Sequence, residues 1–370
     1  MAKDPPFASA RIAIVGVGLI GGSLGLALKR LGIGRKIVGI SRPETTDKAK
    51  SLGAIDTSFT YEDLGRGVSE AGLVILCTPI SRILDLIPLT LSAVPEGCVV
   101  SDVGSTKSEI VKLAASNYRE GVHYVGGHPM AGSEWSGVEA ADPFLFQNAI
   151  YVMTPAPGVP ESICDDFARL TEALGARSMR MGPGEHDRVA AAVSHLPQMM
   201  ATALVGMVGE LSESEGMPLQ MAAGGFRDMT RIASSQYEMW KDICRTNVGP
   251  IQEMIDRYEA ALRAIRQEVA GEGLSREFEY ANRVRAEIPK DSKGFLNPLH
   301  EILVVVEDRP GVIARVASTL ADGDINIKDI EVLKVREGEG GTIRLGFGDS
   351  ESARGAEELL TDVGFKVRSR

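Results

Sequence analysis

The sequence predicts an α/β fold in three parts: a doubly wound parallel sheet, an all-helical domain, and a small βαββαβ domain at the end of the chain. Short β-branched runs alternate with helical stretches over the first half, strand patterns vanish after about residue 185, and they return after about residue 300. Strands that alternate with helices along a chain are typical of a parallel sheet that helices cover on both faces.

The first domain is predicted to span residues 10–184 and to begin with a strand. The apolar run Arg11–Val15 precedes a helical pattern over Leu19–Leu31, and a later helix is predicted at Glu161–Leu174. The other predicted strands are KIVGI (36–40), GLVILCTP (72–79), CVVSDVG (98–104), HYVGGHP (123–129) and NAIYVMTP (148–155). The stretches between them are long enough for helices, as the crossovers of a parallel sheet require.

Helices alone are predicted for the middle of the chain, and strands return only after a linker. Residues 185–287 are rich in Ala, Met, Leu, Glu and Arg, and we expect this half to bury its apolar faces against a second copy in a homodimer. Residues 288–299, which include IPKDSKGFLNP, form the predicted linker. Residues 300–370 then follow the βαββαβ order of a ferredoxin-like module.

Composition and charge argue against several classes of function. The 370-residue chain is 44% apolar and 24% charged, which is ordinary for a soluble globular protein. Its net charge of −10 argues against a nucleic-acid partner or an anionic membrane surface. We expect a cytoplasmic protein, because the first ten residues do not resemble a signal peptide and no window of about 18 uninterrupted apolar residues occurs. The four dispersed cysteines predict neither a metal site nor disulfides.

A glycine-rich turn directly follows the first strand. Gly16-Val17-Gly18-Leu19-Ile20-Gly21 has the pattern G-x-G-x-x-G between a strand and a helix. In a Rossmann-type domain these glycines permit the tight turn, the approach of a pyrophosphate and close helix packing. We therefore expect a dinucleotide at the start of this helix, with Thr78 and Pro79 at the end of a neighbouring strand also in contact. The alternative is a glycine-rich turn without a ligand.

The residues after the second strand bear on the choice of cofactor. The NAD fingerprint has an acidic residue about 20 positions after the last glycine, where it binds the ribose 2′-hydroxyl. Ser41 occupies that position here, and Arg42 follows it. A hydroxyl and a guanidinium suit a 2′-phosphate, so the sequence favours NADP over NAD. The alternative is that Arg42 stacks on the adenine and that NAD, or either cofactor, is used.

Two loops are expected at the carboxyl ends of parallel strands, where such sheets bind ligands. SDVGSTK (101–107) contains Ser105, and GGHPMAGSE (126–134) contains His128. An imidazole, whose ordinary pKa is near ~6.5, can take a hydroxyl proton at neutral pH as a hydride leaves. We therefore predict that His128 is the base and that Ser105 positions its ring. A purely structural histidine is the alternative.

The helical half contributes further candidates. Arg227 and Arg231 are four residues apart, so on a helix they would share a face and could clamp a dicarboxylate. Surface ion pairs are the alternative for both arginines. His195 lies in an apolar stretch, where a histidine by itself is more often a satisfied core residue than a ligand.

Together these stretches resemble the prephenate dehydrogenase family, which includes arogenate dehydrogenases. The motifs that carry the resemblance are VGVGLIGGSLGLAL, SDVGSTK, GGHPMAGSEWSGVEAA, EHDRV, VSHLP, GGFRDMTRIASS and a following MW, in the family's order over about residues 11–285. The resemblance implies that prephenate loses a hydride from C4 to the nicotinamide and CO2 from its ring. The product is 4-hydroxyphenylpyruvate, on the route to tyrosine.

The resemblance also implies roles for individual residues. It makes His128 the base that bonds the C4 hydroxyl, Ser105 its partner, and Arg231 the ligand of a substrate carboxylate. The residues that match other pocket positions are His195, Glu134 and Trp240. Arg227 stands where some relatives carry Lys, so the charge is kept while the geometry of the head group differs.

The last module resembles an ACT domain. Asp308-Arg309-Pro310-Gly311 matches the ligand-binding turn of that family, and Asn326 is assigned to the same regulatory site. The resemblance implies an amino-acid effector at a domain or subunit interface, and L-tyrosine, the end product, is the expected effector. The alternative is that the module serves only assembly.

Three rival functions remain open from the sequence. An arogenate dehydrogenase would act on a substrate with an amine in place of the keto group, and the sequence does not distinguish the two. A β-hydroxyacid or imine reductase of similar architecture would be expected to use a catalytic Lys or a different loop. An amino-acid-binding sensor with a degenerate dinucleotide fold is disfavoured by the intact loop glycines and His128.

Overall fold

A computed structural model describes residues 5–132, 135–217, 219–271, 273–288, 299–336 and 340–369. The chain divides into two compact units, Met1–Ala281 and Asn282–Arg370. The first unit contains the large sheet and the helical region, and the second contains the small sheet.

The large sheet has eight strands in the order β3-β2-β1-β4-β5-β6-β7-β8. Their bounds are β1 Arg11–Val15, β2 Lys36–Ile40, β3 Thr57–Phe59, β4 Leu73–Leu76, β5 Val99–Asp102, β6 His123–Pro129, β7 Ile150–Pro155 and β8 Arg177–Arg180. All neighbouring pairs are parallel except β6 and β7. The described part of the connection between those two strands has a 3-10 turn at Val138–Ala140 but no crossover helix, and the strand returns antiparallel.

Six helices cover the two faces of this sheet. They are α1 Leu19–Leu31, α2 Pro43–Ser51, α3 Leu64–Val68, α4 Ile80–Ala93, α5 Ser108–Ser116 and α6 Glu161–Ala173. Alternate residues of β1 enter opposite cores, with Ile12 and Ile14 on one face and Ala13 and Val15 on the other. This two-sided burial explains why the strands were predicted from continuous apolar runs.

Three short elements of the large sheet domain were not predicted from the sequence. β3 has three half-buried residues, and β8 is a largely exposed edge strand with the sequence RSMR. α3 contains two glycines in five residues. None of the three has a hydrophobic pattern long enough to indicate its type.

The helical region begins at Pro183 and confirms the predicted loss of strands. It comprises α7 Pro183–Ala190, a π-helical turn Ala191–His195, α8 Leu196–Glu215, a 3-10 turn Leu219–Met221, α9 Gly224–Thr230, a 3-10 turn Arg231–Ser234, α10 Tyr237–Thr246, α11 Val248–Glu268 and α12 Leu274–Glu287. The π-helical turn directly precedes Pro197, which has no N–H to continue the helical bonding.

The stretch Pro183–Glu215 is the one described helix that is long and apolar enough to cross a membrane, and only 22% of its most apolar window is buried. A single helix of this kind is weak evidence for a membrane span. Within α8 only Gln198 and Ala201 are buried, while Val205 and Met207 are 41% and 52% exposed. The helix therefore presents an apolar face that the rest of the unit does not cover.

The second unit has the predicted βαββαβ order. Its elements are β9 His300–Val306, α13 Val312–Asp322, β10 Asp329–Arg336, β11 Gly340–Phe347, α14 Ser350–Asp362 and β12 Lys366–Ser369. The sheet order is β10-β11-β9-β12, and every neighbouring pair is antiparallel. The Asp349 side chain begins α14 by accepting the backbone N–H of Ser352 at 2.7 Å.

Candidate active site

The glycine turn between β1 and α1 leaves space at one of its three fingerprint positions. Gly16 has φ +91°, and a Cβ there would lie 2.7 Å from the carbonyl oxygen of Cys77. A Cβ at Gly21 would lie 2.1 Å from the carbonyl oxygen of Gly16, so the helix start passes too close for a side chain. A Cβ at Gly18 would meet nothing within 4 Å. The turn itself requires two of these glycines, and the third leaves room for a ligand.

A cleft of about 570 Å³ opens beside this turn. Residues from several loops line it, including Gly16, Gly18, Ser41, Arg42, Lys48, Tyr61, Thr78, Pro79 and Glu139. Leu19 and Ile20 begin α1 behind the turn and contribute the first-turn N–H groups. The buried hydroxyl of Thr78 has no hydrogen-bond partner among the described residues, so a bound ligand could satisfy it. These features fit a dinucleotide.

The end of the cleft next to β2 combines cations with two carboxylates, Glu44 and Glu139. Ser41 is buried, with its hydroxyl 3.5 Å from that of Tyr61, and the exposed Arg42 precedes α2. Lys48 of α2 forms an ion pair with Glu139, which follows β6 in the chain. Ser41 therefore stands where an NAD fingerprint has its acidic residue, and two cationic side chains lie nearby.

A buried ion pair ties β5, β6 and the loop after β5 together. Lys107 and Asp102 are both 0% exposed and form a salt bridge. The Lys107 ammonium also donates to the carbonyl of Gly127 at 2.8 Å, and the Tyr124 hydroxyl donates to Asp102 at 2.9 Å. Because a buried charge is stable only when it is paired and hydrogen-bonded, this cluster holds the strand end before His128 in one position.

His128, at the end of β6, hydrogen-bonds to a second histidine. Its Nδ1 lies 2.8 Å from Nε2 of His186 in α7, and the two rings meet edge to face. Nδ1 of His186 lies 2.8 Å from Oδ1 of Asp187. The Asp187 carboxylate also accepts the backbone N–H groups of Lys107 and Ser108 at 2.6 and 2.8 Å. One carboxylate thus joins α7 to the start of α5 and to the histidine pair.

The surroundings of His128 keep its imidazole uncharged at neutral pH. Burial lowers the pKa of His128 well below its usual value, and the neighbouring His186, Lys107 and His195 lower it further. Burial would raise the pKa of Asp187, but hydrogen bonds from His186 and two backbone N–H groups outweigh it, and the pKa falls. An uncharged imidazole and an ionised carboxylate therefore lie on either side of His186.

His195 lies in the π-helical turn and is buried. Its Nδ1 is 3.0 Å from the amide nitrogen of Asn247, and the same nitrogen donates to the carbonyl of Asp187 at 2.8 Å. Because an amide nitrogen only donates, Nδ1 of His195 accepts and the ring proton lies on Nε2. Burial lowers the pKa of His195 to about 4.

Trp240 packs beside His195. The two rings are perpendicular, with centroids 5.8 Å apart. The indole N–H of Trp240 is buried and has no hydrogen-bond partner among the described residues. This pocket position therefore offers a donor to a ligand.

Arg227 and Arg231 do not lie on one α-helix, which corrects the prediction of a shared helix face. α9 ends at Thr230, and Arg231 begins a 3-10 turn. The Thr230 hydroxyl donates to the carbonyl of Phe226 at 2.6 Å, a bond that competes with regular helix geometry. Both arginine side chains are exposed.

The structure differs from the prediction in the residue that holds the ring of His128. Nδ1 of His128 bonds to His186, and Ser105 is half-buried in the loop between β5 and α5. A contact between Ser105 and the substrate remains a prediction. Glu134, another predicted pocket residue, lies outside the described residues.

The predicted regulatory residues lie at two ends of one helix. The Asp308–Gly311 turn precedes α13, where Gly311 has φ +89°, and Arg309 pairs with Glu307 at 3.1 Å. The exposed Asn326 lies between the end of α13 and β10. The 11 residues of α13 span about 16 Å, at ~1.5 Å per residue. One copy of this unit therefore does not bring Asn326 together with the turn, and the regulatory site at a domain or subunit interface stays a prediction.

The residues that hold the site together had no predicted role. These are Asp102, Lys107, His186, Asp187 and Asn247. Asp102 ends an apolar strand and Lys107 follows five residues later, a spacing that could have indicated a buried pair. His186 lies in the EHDRV motif of the family resemblance, but no local pattern pairs it with His128, which is 58 positions away in the chain.

The fold and this site define a dinucleotide-binding dehydrogenase with a separate ACT-type unit. Three family models match successive parts of the chain: "Prephenate dehydrogenase, nucleotide-binding domain" at residues 24–180, "Prephenate dehydrogenase, dimerization domain" at 182–281 and "ACT domain" at 300–363. The chain belongs to the prephenate dehydrogenase family.

Known relatives support this membership. The chain is 36% identical to the prephenate dehydrogenase of Bacillus subtilis (strain 168), over 94% of this chain and 95% of that protein. It is 32% identical to the crystallised prephenate dehydrogenase of A. aeolicus in complex with hydroxyphenyl propionate and NAD+, with a TM-score of 0.70, over 75% of this chain and 98% of that chain. Synechocystis arogenate dehydrogenase is 28% identical with a TM-score of 0.66, over 75% of this chain and 100% of that chain.

Proposed function

We propose that this chain is a prephenate dehydrogenase that uses NAD or NADP to convert prephenate to 4-hydroxyphenylpyruvate and CO2. The observation that carries the proposal is the uncharged imidazole of His128, held at Nδ1 at the carboxyl end of β6. The glycine turn follows the carboxyl end of β1 in the same sheet. Parallel strands bring such ends to one edge, so a base and a dinucleotide site share that edge.

The residues of the chain handle the proton in this reaction, and the bound nicotinamide supplies the hydride acceptor. Nε2 of His128 accepts the C4 hydroxyl proton as the hydride leaves C4, which makes C4 a carbonyl. The bond to the ring carboxylate then breaks, its electron pair enters the ring, and CO2 leaves. The oxygen takes the proton back from His128 as the ring becomes aromatic. Atoms and charge then balance without a further reactant.

Substrate binding is assigned to side chains around that base. Prephenate carries two carboxylates, and we assign one to Arg231, with Arg227 as a second nearby cation. Trp240 has a buried indole N–H with no partner among the described residues, and His195 carries its proton on Nε2, so both can donate to substrate oxygens. Ser105 and Glu134 complete the proposed pocket. Local cations are needed because the chain as a whole is acidic.

For the cofactor we propose NADP in preference to NAD. Ser41 occupies the position of the usual acidic residue, and Arg42 lines the cleft with Lys48, which pairs with Glu139, and with Glu44. Charged hydrogen bonds to a 2′-phosphate contribute about 1.5–3 kcal/mol each, so Arg42→Ala should raise the KM for NADP about 10- to 100-fold. The KM for NAD should change little, and Lys50→Ala, on the same helix, is the matched control. Equal effects of Arg42→Ala on both cofactors would favour stacking on the adenine.

The function itself is tested by following reduced nicotinamide at 340 nm with four substrate pairs. Prephenate and arogenate are each combined with NAD and with NADP. Turnover of prephenate is the expected result. Turnover of arogenate alone would make the chain an arogenate dehydrogenase, the activity named for its Synechocystis relative. No turnover in any pair would overturn the proposal and favour a sensor or another dehydrogenase.

We propose that the protein works in the cytoplasm as a homodimer through its helical region. The exposed apolar face of α8 supports a subunit contact, which also explains the apolar composition of Pro183–Glu215. Met207→Glu should shift sedimentation from dimer to monomer, because it adds a charge to that face. Glu210→Gln, on the same helix, should leave the dimer intact. A monomeric wild-type protein would contradict the proposal.

We also propose that L-tyrosine binds the ACT-type unit and inhibits the enzyme. The left-handed turn at Gly311 has an open approach, since a Cβ there would meet nothing within 4 Å. Asn326 is about 16 Å away along α13, so a shared site would take the turn from one copy and Asn326 from another. Calorimetric titration with L-tyrosine should show binding that Asn326→Ala weakens. Wild-type protein that binds no tyrosine would leave assembly as the role of the unit.

A further inference from the structure

We propose that His186 and Asp187 form, with His128, a proton relay that sets the tautomer of the base. The inference rests on the proposed function and deepens it, because it names two positioning residues for that site. The three groups form one continuous chain of hydrogen bonds. Asp187 Oδ1 is 2.8 Å from Nδ1 of His186, and Nε2 of His186 is 2.8 Å from Nδ1 of His128.

The direction of each bond follows from the carboxylate end. Asp187 already accepts two backbone N–H groups, at 2.6 and 2.8 Å, so it is an ionised acceptor in this arrangement. Nδ1 of His186 must therefore carry a proton and donate it. In the relay that we propose, this is the only ring proton of His186, so its Nε2 is bare and accepts. Nδ1 of His128 is thus the protonated nitrogen, and Nε2 of His128 is left with its lone pair for a substrate hydroxyl.

The relay also gives a place for the proton during turnover. When Nε2 of His128 takes the substrate proton, its Nδ1 proton can move to Nε2 of His186. The resulting imidazolium of His186 lies against the Asp187 carboxylate, and both groups are buried at 1–2% exposure. When the product oxygen is reprotonated, the two protons move back. No proton is gained or lost over the cycle, and no other reactant is required.

His195, the neighbouring histidine, has the opposite tautomer and can be compared with His128 in the same protein. Asn247 donates its amide proton to Nδ1 of His195, so His195 carries its own proton on Nε2. Asn247 also donates to the backbone carbonyl of Asp187. The same residue of α7 therefore takes part in the hydrogen bonds that set the tautomers of His128 and of His195. His128 can therefore accept a proton from a ligand, whereas His195 can only donate one.

The first experiment needs no substrate. Full-length protein labelled with 15N-histidine is examined by NMR at pH 7.5, and His128→Asn and His195→Asn identify the signals. In the wild type, we expect His128 to be protonated at Nδ1 and bare at Nε2, and His195 to be the reverse. A His128 protonated at Nε2 would overturn the relay, whatever the enzyme's activity.

The second experiment tests whether His186 acts as a hydrogen-bond acceptor for His128 or only packs against it. His186→Leu removes the acceptor, whereas the amide oxygen of His186→Gln stands at the position of Nε2. His186→Leu should lower kcat about 10²-fold or more with little change in cofactor affinity, because the ring then loses its enforced tautomer. His186→Gln should recover most of that loss. Equal kcat values for the two variants would overturn the relay.

Asp187→Asn tests the other end of the chain. The side-chain nitrogen of this variant is a donor and would face another donor, either Nδ1 of His186 or a backbone N–H. The variant should therefore mix the tautomers of His128 or loosen the start of α5. The two His186 variants leave that backbone contact intact and keep the test valid if Asp187→Asn does not fold. His123→Gln, at the opposite end of β6, is the matched control and should change neither the tautomers nor kcat. Failure of wild-type turnover would sink the proposed function alone, since the NMR result stands without it.

Discussion

The cluster around His128 and the arginine segment Gly224–Ser234 belong to the same proposed site but have opposite environments. In the cluster, charges are buried and paired, as in the contact between Lys107 and Asp102. In the arginine segment, neither the helix nor the following turn contains a buried residue. In the function that we propose, proton transfer therefore uses a desolvated geometry built by one chain, whereas carboxylate binding uses exposed cations.

Among the substitutions that test this comparison, replacement of the base should have the largest effect, and that effect should be on kcat. His128→Asn removes the group that accepts the hydroxyl proton, so kcat should fall ~10²–10⁴-fold. The affinity for the cofactor, measured by quenching of tryptophan fluorescence, should change little because the glycine turn is untouched. Turnover near the wild-type level would remove His128 from the chemistry.

Breaking the buried pair should mainly affect stability. Lys107→Met leaves Asp102 buried and uncompensated, which should destabilise the first unit by about 3–5 kcal/mol in urea unfolding. Lys112→Met, at an exposed position on α5, should change stability by less than about 0.5 kcal/mol. Similar small losses of stability for both variants would mean that the buried pair of Lys107 and Asp102 does not hold the cluster in one position.

The pH dependence of stability tests whether the site histidines are buried in the neutral form. The pKa of His195 is about 4 in the folded state and near ~6.5 when unfolded. As the pH falls through this window, the unfolded state binds the proton first, so stability present above pH ~6.5 is lost progressively down to about pH 4. The loss should approach about 3 kcal/mol for His195 alone, with a further contribution from His128 in the same direction.

Urea unfolding at several pH values between 7.5 and 4.5 measures this loss. His195→Gln should flatten part of the dependence, because glutamine does not titrate. If stability is the same at both ends of this range in the wild type, then the histidines are solvated and the contrast with the arginine segment fails.

Loss of the proposed carboxylate ligand should have the smallest effect. Arg231→Ala removes a charged hydrogen bond of about 1.5–3 kcal/mol, so the KM for prephenate should rise about 10- to 100-fold with a smaller change in kcat. Folding stability should change by less than about 1 kcal/mol, since interactions of an exposed charged side chain contribute little. Arg266→Ala, in the last turn of α11, is the matched control. An unchanged KM would take Arg231 out of the site.

Much of the fold could be predicted because its signals are local. The run RIAIV, the glycine turn and the helix Leu19–Leu31 lie next to one another in the chain, and the structure has the same strand and helix bounds. Short elements such as β3 and β8 were missed because three or four half-exposed residues carry no period. The strand β7 was predicted but its antiparallel direction was not, since the direction of a strand depends on the path of the chain between strands.

The sequence by itself determined the order of the domains, the glycine turn and the choice of His128 as a candidate base, because each depends on residues that are neighbours in the chain. Only the tertiary structure decided which group holds that base. His186 reaches His128 from 58 residues away, and Asp187 bonds to both His186 and the start of α5. Hydrogen-bond partners depend on how α7 packs against the sheet, and no local pattern records that packing.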